Sequence, residues 1–529
     1  MSVVSLEIDA NNTVTMDDLL AQPAKLGVKL RSQEVDDYYT LLCALDKSVK
    51  KIIEMDDYLQ PTDLERFPRE NIYLPKGEEN AKGAWAYKVT IEDTKPELSK
   101  SRPLVGKTIC FKDCVEVAGV PQILGTDAHG PWVPEADATV VTRVLEAGAK
   151  VVGLATCENQ CSSTSSSTSS TGNVENPYGD GHSAGGSSSG SGYLVGSGEV
   201  DISIGADQGG SIRVPSAHCG LVGLKPTFGL VPYTGIGSLE TNIDHAGPMT
   251  RTVLDNCMLL QVIAGKDGFD DRQNDAPSVD QVPDYYGITK NSSIKGMKIG
   301  VLKESLEVPA MTEPVKKKFL ETVELLKALG AEVVEISIPY HEVAPEIWMV
   351  GQRIAGAVRK MGMQTGRKIL KSSKYLDHSL PLTQDGFDKT PVNVKNGLIN
   401  GLYLMEHYPG LYNKTINLQF KATQEYNSAL DKVDVLITPT LPVVSPRHGD
   451  RKATPIQMLK NTIGLNANTG IFNITGHPAM TLPMGFLPSQ EDPDMKFPVG
   501  LQIIAKHYDE LKIYRVAYGF EQAYNWKDL

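Results

Sequence analysis

The sequence predicts a layered α/β fold with helices on both faces of a sheet. Three observations lead to this fold class. Apolar runs of strand length alternate with helical patterns along most of the chain, glycines stand where the predicted helices end, and the composition is that of a globular protein. Of the 529 residues, 41% are hydrophobic and 22% are charged, which excludes a disordered, collagen-like or coiled-coil chain.

The first 75 residues predict a helical extension. Apolar residues from Tyr38 to Ile53 repeat at steps of three and four residues, and we expect Ser32 to cap this helix. An apolar stripe needs a surface to pack against, so we interpret the helix as a packing appendage rather than a partner-binding element. The chain is therefore divided into an N-terminal helical extension, 1–75, and a main domain, 76–529.

The alternation of strands and helices begins near residue 100. The predicted elements are, in order, strand 108–117, helix 138–147, strand 150–154, strand 200–206, strand 297–302, helix 314–329, strand 332–338 and strand 433–437. Residues 162–171 are all Ser or Thr and predict a flexible loop. Residues 340–400 alternate poorly and are interpreted as an inserted lobe over the main sheet.

Charge and hydropathy exclude several classes of partner. Acidic residues number 64 against 52 basic residues, the net charge is −12, and no basic cluster is longer than 316–318, so we expect no nucleic-acid binding. The sequence has no uncharged apolar run near the ~20 residues that span a bilayer, and its first 30 residues show no secretory signal pattern. We expect a cytoplasmic protein without membrane contact.

The cysteines predict free thiols rather than disulfides or a metal site. Seven is an odd number for a disulfide framework, and the chain is long enough not to need one. Two C-x3-C pairs occur, Cys110 with Cys114 and Cys157 with Cys161. Zinc sites usually have tighter spacing and further ligands close by, so we expect no metal.

The Gly- and Ser-rich segment 179–235 is the most informative part of the chain. It matches neither a phosphate-binding P-loop nor, beyond a weak partial fit, a dinucleotide fingerprint. Residues 186–190 match G-x-S-x-G, which would make Ser188 the nucleophile of a Ser-His-Asp hydrolase. That motif requires a strand directly before it, and we find no strong strand pattern there.

Gly209, Gly210 and Ser211 follow the predicted strand 200–206. Consecutive glycines let backbone N–H groups converge, because no side chain blocks a positive φ. Converging N–H groups beside a serine hydroxyl are what an oxyanion hole for acyl transfer requires. The simpler interpretation is a glycine-rich turn with a capping serine.

Several motifs resemble the amidase signature family. They are Lys112-Asp113, the run Gly-Gly-Ser-Ser at 185–188, and the run Asp-Gln-Gly-Gly-Ser-Ile-Arg-Val-Pro at 207–215. The resemblance is strong over about 100–265, moderate over 430–525 and weak elsewhere, and residues 207–208, 232–235 and 243–245 are similar to the nitrile-pathway amidase branch. The family has one α/β domain with a large mixed sheet between helices, which is the fold we expect here.

The resemblance implies a Lys-Ser-Ser relay. Ser211 resembles the nucleophile, Ser187 the bridging serine held by a cis peptide, and Lys112 the general base. The backbone N–H groups that would line the oxyanion hole are those of Gln208, Gly209, Gly210 and Ser211. The residues expected to support the loop or to face the substrate are Asp207, Gln208, Ser188 and Arg213. Asp207 and Arg213 are expected to pair, and the chemistry implies no cofactor.

A lysine can accept a proton only when it is neutral, although its ordinary pKa of ~10.4 keeps it charged at neutral pH. On the predicted strand, Lys112 shares a face with Cys110 and Cys114, which are small and weakly polar. Burial in such surroundings lowers the pKa of a lysine. We therefore expect burial to make Lys112 a neutral base.

The expected activity is hydrolysis of the C–N bond of small carboxamides, with carbamate esters (a urethanase activity) as a further candidate. One alternative is an amidotransferase subunit that releases ammonia from glutamine, although that branch tends to carry Gln where this chain has Val214. A Ser-His-Asp hydrolase using Ser188 and a non-catalytic binding protein are the remaining candidates. The expected partners are the small substrate and, as the resemblance suggests, a second copy of the chain in a homodimer.

Overall fold

The computed structural model describes residues 3–529 and contains two compact units. The first unit ends at Leu59, and the second runs from Gln60 to Leu529. None of the helices in the described range 3–529 is both long and apolar enough to cross a membrane.

The first unit consists of two helices, α1 (Met16–Lys25) and α2 (Val35–Ile53). Thr15 caps α1, because its hydroxyl accepts the Asp18 N–H while the Asp18 carboxylate accepts the Thr15 N–H. Helix α2 contains the whole predicted apolar stripe, which confirms a helix there. The predicted cap is wrong, because Ser32 begins a short 3-10 turn that separates it from the first turn of α2.

The second unit is built on one mixed sheet. Strands in the described residues are β1 (Glu70–Tyr73), β2 (Trp85–Ile91), β3 (Thr108–Lys112), β4 (Lys150–Ala155), β5 (Glu175–Asn176), β6 (Gly179–Ser183), β7 (Ile202–Asp207), β8 (Val222–Lys225), β9 (His245–Thr250), β10 (Lys298–Leu302), β11 (Glu332–Ile336), β12 (Val435–Pro439), β13 (Ala479–Pro488) and β14 (Lys496–Ile504). Within residues 3–529, twelve of them form the sheet in the order β1-β2-β4-β3-β7-β9-β8-β13-β14-β12-β10-β11, and β5 pairs with β6 separately.

Helices pack on the sheet and around its edges. In the second unit they are α3 (Thr139–Glu146), α4 (Ser189–Gly196), α5 (Arg213–His218), α6 (Val253–Ile263), α7 (Tyr285–Lys290), α8 (Glu313–Ala328), α9 (Ala344–Lys360), α10 (Ser373–Ser379), α11 (Gln384–Lys389), α12 (Val392–His407), α13 (Leu411–Leu430), α14 (Pro455–Leu459), α15 (Ile471–Ile474) and α16 (Glu510–Ala523). Residues 340–400, where we placed an inserted lobe, are mostly helical and belong to the second unit.

Both faces of the sheet are covered, as β3 shows. Ile109 and Phe111 point into one hydrophobic core with α3 and α6, whereas Cys110 points into another with α4. Side chains alternate between the two faces of a strand, so neighbours on β3 belong to different cores. Strands β3, β4 and β7 run parallel, whereas β7, β9, β8, β13 and β14 are antiparallel. The predicted α/β fold with a mixed sheet between helices is confirmed.

The sheet topology determines where the candidate site lies. Strands β3 and β7 are adjacent and parallel, with Phe111 opposite Ile204, so their carboxyl ends lie at the same edge of the sheet. Strand β3 ends at Lys112, five residues earlier than predicted. The chain turns there, because the N–H groups of Cys114 and Val115 both donate to the Lys112 carbonyl, at 2.7 and 2.9 Å.

The Ser/Thr run 162–171 is not the flexible loop that its composition predicts. Ser166 and Ser169 are fully buried. The hydroxyls of Ser165 and Thr168 donate to the Glu158 carboxylate at 2.7 and 2.8 Å, and Ser166 donates to the Val174 carbonyl at 2.7 Å. These hydroxyls donate to protein acceptors, so this part of the run is ordered. Amino-acid composition alone does not show such hydrogen bonds.

Candidate active site

Lys112 is the last residue of β3, and its side chain is fully buried. Its Nζ donates a hydrogen bond to the Ser187 Oγ at 2.7 Å and another to the Ala206 carbonyl at 3.1 Å. Lys112 therefore connects the end of β3 with the turn before α4 and with the end of β7. A fully buried lysine held by neutral acceptors is uncommon and marks a candidate functional group.

Ser187 lies in the turn between β6 and α4, and the peptide bond between Gly186 and Ser187 is cis. Its carbonyl accepts the Glu158 N–H at 3.1 Å. A side chain at position 186 could not fit, because its Cβ would lie 2.0 Å from the Ser165 carbonyl oxygen. The turn is thus packed against the Ser/Thr run, and Ser187 is fully buried beneath it.

Ser211 lies in the turn that joins β7 to α5, and its side chain is one of those that line a cavity. Two glycines precede it, and both positions exclude a side chain. A Cβ on Gly209 would lie 2.3 Å from the Trp348 ring, and one on Gly210, whose φ is +136°, would lie 2.6 Å from Thr469 Oγ1. The turn can therefore approach Trp348 and Thr469 closely only with glycine at 209 and 210.

Donors from distant segments hold the carbonyl groups of this turn. Trp348 Nε1 donates to the Gln208 carbonyl at 2.7 Å, and Thr469 Oγ1 donates to the Gly209 carbonyl at 2.7 Å. The N–H groups of Gln208, Gly209 and Ser211 have no hydrogen-bond acceptor among residues 3–529. Three backbone donors near Ser211 are thus left for a substrate oxygen.

The Gly210 N–H differs from the other three that we assigned to an oxyanion hole. It donates to the Asp207 Oδ1 at 2.7 Å. Because this donor already bonds to a carboxylate, the Gly210 N–H is not available to an oxyanion. The candidate oxyanion donors are therefore the N–H groups of Gln208, Gly209 and Ser211.

Asp207 and Arg213 form a fully buried ion pair below the turn. Arg213 donates from Nε to Oδ2 at 3.0 Å and from Nη2 to Oδ1 at 2.9 Å, which is a two-point contact. Asn473 also donates to Oδ1, at 2.8 Å, and the Ile212 N–H donates to Oδ2 at 3.1 Å. Burial alone would raise the pKa of Asp207, but Arg213 and these donors hold it well below its ordinary value. The expected pairing is present.

The two serine segments meet through their backbones. The Ser188 N–H donates to the Ser211 carbonyl at 3.2 Å. A proton relay needs one hydrogen bond between Lys112 and Ser187 and another between Ser187 and Ser211. The first is present, whereas within residues 3–529 no hydrogen bond joins the hydroxyls of Ser187 and Ser211. Apo structures often show such contacts loosened, and they tighten when substrate is bound.

The remaining two supporting residues have different environments. Gln208 donates through Nε2 to the Tyr233 hydroxyl at 2.7 Å, while its Oε1 is buried without a partner in the described residues. That oxygen could accept a hydrogen bond from a substrate amide. Ser188 donates to the Ala206 carbonyl at 3.3 Å and bonds to no histidine in residues 3–529. The arrangement that a Ser-His-Asp hydrolase needs is therefore missing around Ser188.

Three cysteine thiols interact electrostatically with Lys112. Burial alone would lower the pKa of Lys112, as we expected, but Cys161, Cys114, Cys157 and Asp207 act against burial and hold this pKa above its ordinary value. Hydrogen bonds from Cys114 and Cys157 lower the pKa of Cys161, which favours its thiolate. The sequence predicts a neutral lysine from burial alone, because it does not show that Cys161, 49 positions further along the chain, interacts with Lys112.

The cavity at Ser211 has a volume of about 140 Å³. Besides Gln208, Gly209 and Ser211, its lining includes Cys161, Trp348, Arg353 and Asn393. Trp348 and Arg353 come from α9 and Asn393 from α12, in the part of the chain where sequence motifs were weakest. Nε of Arg353 and Oδ1 of Asn393 are buried without partners in the described residues. Each atom is therefore available for a hydrogen bond to a ligand.

Comparisons with known proteins agree with this geometry. The family model described as Amidase matches residues 83–513. An enantioselective amidase of Rhodococcus rhodochrous is 37% identical over 464 residues, covering 85% of this chain and 84% of that protein. A subunit of the glutamyl-tRNA(Gln) amidotransferase of Geobacillus thermodenitrificans is 32% identical over 501 residues, covering 94% of this chain and 98% of that subunit.

A solved structure gives the same result at the level of the fold. The native peptide amidase of Stenotrophomonas maltophilia superposes with a TM-score of 0.65 and 26% identity, covering 80% of this chain and 84% of that chain. The match to the family model includes the buried lysine and both serine turns, and the similarity to the Rhodococcus amidase covers most of the chain. This chain therefore belongs to the amidase signature family and is an amidase.

Proposed function

We propose that this amidase hydrolyses small carboxamides through an acyl-enzyme on Ser211, with Ser187 and Lys112 as a proton relay. The observation that carries the proposal is the 2.7 Å hydrogen bond between the buried Lys112 Nζ and the Ser187 Oγ, next to the turn that carries Ser211. A serine hydroxyl attacks an amide only when a base accepts its proton, and this relay supplies the base.

In the first half-reaction, Ser211 Oγ bonds to the carbonyl carbon while its proton passes through Ser187 to Lys112. The N–H groups of Gln208, Gly209 and Ser211 stabilise the oxyanion that forms. The C–N bond then breaks, and the relay returns the proton to the leaving nitrogen, because an amide anion is too basic to leave unaided. In the second half-reaction, water attacks the acyl carbon while the relay accepts its proton. The bond to Ser211 Oγ then breaks, the relay returns the proton to Oγ, and the carboxylic acid leaves.

The size of the cavity favours small acyl groups. Its volume of about 140 Å³ is close to that of an engineered protein cavity of ~150 Å³ that binds benzene. Carbamate esters present a carbonyl of similar size next to nitrogen, so we include them as candidate substrates. The seven free cysteines suit a reducing compartment, and we assign the protein to the cytoplasm on that basis.

The experiment is a panel of small amides, anilides and alkyl carbamates, assayed for release of ammonia or amine. Lys112→Ala, Ser187→Ala and Ser211→Ala should each reduce turnover by about 10³-fold or more. Ser188→Ala is the matched control, because it removes a neighbouring hydroxyl outside the relay. Full activity in Ser211→Ala, or loss of activity in Ser188→Ala alone, would contradict the proposal.

A second candidate is glutamine hydrolysis that supplies ammonia to a partner enzyme. The similarity to the glutamyl-tRNA(Gln) amidotransferase protein of Geobacillus thermodenitrificans covers 94% of this chain, which favours this alternative, whereas Val214 argues against it. Ammonia release from free glutamine by the isolated chain, compared with release from a neutral amide of similar size, separates the two candidates. A clear preference for glutamine would favour the amidotransferase role.

A further inference from the structure

A second cavity lies next to the active site and takes no part in the proposed reaction. Its volume is about 180 Å³. Its lining comes from α9, α10, α11 and α12 and from the segment around His129. Gln160 lines this cavity and its neighbour Cys161 lines the cavity at Ser211, so consecutive residues of one stretch of chain contribute to both cavities.

The charged side chains in the lining of this second cavity are all basic. They are Arg359, Lys360 and Lys395, and no Asp or Glu contributes to the lining. Among residues 3–529, the side chains of Arg359 and Lys360 form no ion pair or hydrogen bond, whereas Lys395 Nζ donates to the Asp388 carbonyl at 3.1 Å and lies 5.2 Å from the centre of the Phe387 ring. Two basic side chains without an anionic partner in the same cavity are unfavourable unless an anion joins them.

A further cation, Arg353, increases the positive charge next to Lys360. A Cβ placed on Gly397 would lie 3.2 Å from Arg353 Nη1 and 3.8 Å from Lys360 Nζ, so both groups approach the same point on α12. Burial, with Arg359 and Arg353 as like charges, lowers the pKa of Lys360 to about 7. The other titratable groups facing it across this cavity are His129, His378, Tyr375 and Lys395.

The remainder of the lining is largely apolar. It includes Leu376, Leu380, Leu382, Phe387, Val394 and Leu398. A cavity of about 180 Å³ is slightly larger than one of ~150 Å³ that holds benzene, so it accommodates one aromatic ring or a short branched chain. A ligand that fits must therefore combine a compact apolar body with a negative charge.

We propose that this second cavity is a binding site for a small organic monocarboxylate, with the carboxylate on Lys360 and Arg359 and the apolar body against the leucines of α10 and α12. The site does not depend on the reaction at Ser211. A bound carboxylate would give Lys360 the acidic partner that the protein does not supply, and it would favour the charged form of this lysine.

The test is calorimetric titration of the full chain with 4-bromobenzoate at pH 8, with 4-bromobenzyl alcohol as the neutral probe. We expect the acid to bind and the alcohol to bind at least tenfold more weakly. Because binding charges Lys360, the titration should take up protons, so the observed heat should differ between buffers of different ionisation enthalpy. Binding without proton uptake, or equal binding of the alcohol, would overturn the proposal.

Variants and a crystal of the complex locate the site. Lys360→Met should weaken 4-bromobenzoate binding at least tenfold, whereas Lys317→Met, an exposed lysine of α8, should leave it unchanged. If Lys360→Met does not fold, Arg359→Met should weaken binding in the same direction. The anomalous signal of bromine should appear in the second cavity. Bromine only in the cavity at Ser211, or no bromine in either cavity, would overturn the proposal.

Discussion

At the scale of single residues, the protonation of Lys112 governs the proposed chemistry. Its neighbours include a cysteine, Cys161, whose thiolate is favoured by two hydrogen-bonding thiols. A thiolate next to a lysine stabilises the ammonium form, so the pKa of Lys112 lies above its ordinary value despite complete burial. The neutral base is then a minor form at neutral pH, and its population grows as the pH rises.

This arrangement predicts an alkaline pH dependence. Because Lys112 accepts a proton only when neutral and its pKa is raised, kcat/KM should rise with pH through the alkaline range. Cys161→Ser removes the thiol that favours the ammonium form, so burial should dominate, the pKa of Lys112 should fall, and the rising limb should move to lower pH. The measurement is the pH profile of kcat/KM for both proteins.

The control for this prediction is Cys257→Ser, a buried cysteine of α6 that is not among the groups named as raising the pKa of Lys112. It should leave the profile in place. An unchanged profile in Cys161→Ser would show that the thiolate does not influence Lys112.

The buried pair of Asp207 and Arg213 leads to a prediction about stability. Asp207→Asn leaves the Arg213 guanidinium buried without its carboxylate, which typically costs about 3–5 kcal/mol of unfolding free energy. The native pKa of Asp207 is depressed, so its contribution is fully present above the unfolded-state pKa of ~3.9 and is lost progressively as the pH falls from there through the native pKa.

Urea unfolding at pH 7 and at pH 3 measures both effects. The difference in unfolding free energy between the parent protein and Asp207→Asn should be large at pH 7 and smaller at pH 3. A difference that is equal at the two pH values would mean that the carboxylate charge does not stabilise the fold.

At the scale of elements, the turn between β7 and α5 is the most constrained part of the site. Trp348 from α9 packs on Gly209, and its Nε1 holds the Gln208 carbonyl. Thr469, just before α15, holds the Gly209 carbonyl. Contacts from α9 and from the segment before α15 therefore fix the conformation of this turn.

Gly209→Ala should disrupt this arrangement. The added methyl group would lie 2.3 Å from the Trp348 ring, so either the ring or the turn must move, and the oxyanion donors lose their alignment. We expect kcat to fall by about 10²-fold or more with a smaller change in KM. Gly410→Ala is the matched control, because a Cβ there meets no atom within 4 Å and φ is −88°. Unchanged kcat in Gly209→Ala would contradict the proposed hole.

The sequence predicts the strands and turns that carry the candidate site, but it does not predict the side chains that pack around them. The run 207–215 predicts the Ser211 turn and the Asp207–Arg213 pair, since both lie within nine consecutive residues. Trp348 and Arg353 enter from α9, more than 130 positions away, and a helix pattern does not show which side chain reaches a cavity. The sequence likewise does not predict the lowered pKa of Cys161, because that pKa depends on the interactions of Cys161 with Cys114 and Cys157 in the folded protein.

At the scale of the whole molecule, hydrogen bonds of the candidate site connect segments of the second unit that are far apart in the sequence. Arg213 donates to the Thr469 carbonyl at 2.9 Å, to Gln502 Oε1 at 2.8 Å and to Asn473 Oδ1 at 2.7 Å. Buried polar contacts thus run across the sheet, from Lys112 at the end of β3 to Gln502 on β14. Such a network cannot lose one part without leaving buried polar groups unpaired elsewhere.

This predicts that activity and fold are lost together. All four tryptophans lie in the second unit, so their fluorescence reports on that unit alone. In a urea titration, the midpoint for loss of amidase activity should coincide with the midpoint of the fluorescence transition. Activity lost at a clearly lower urea concentration would mean that the site opens before the sheet does.

The central claim is that Ser211 bonds covalently to the acyl group during turnover. The most direct measurement is rapid acid quench of the enzyme with a slowly hydrolysed anilide, followed by peptide fragmentation in a mass spectrometer. We expect a mass increase equal to the acyl group on Ser211, present in the parent protein and absent in Ser211→Ala. An acyl group on Ser188, or turnover by Ser211→Ala at the parent rate, would contradict it.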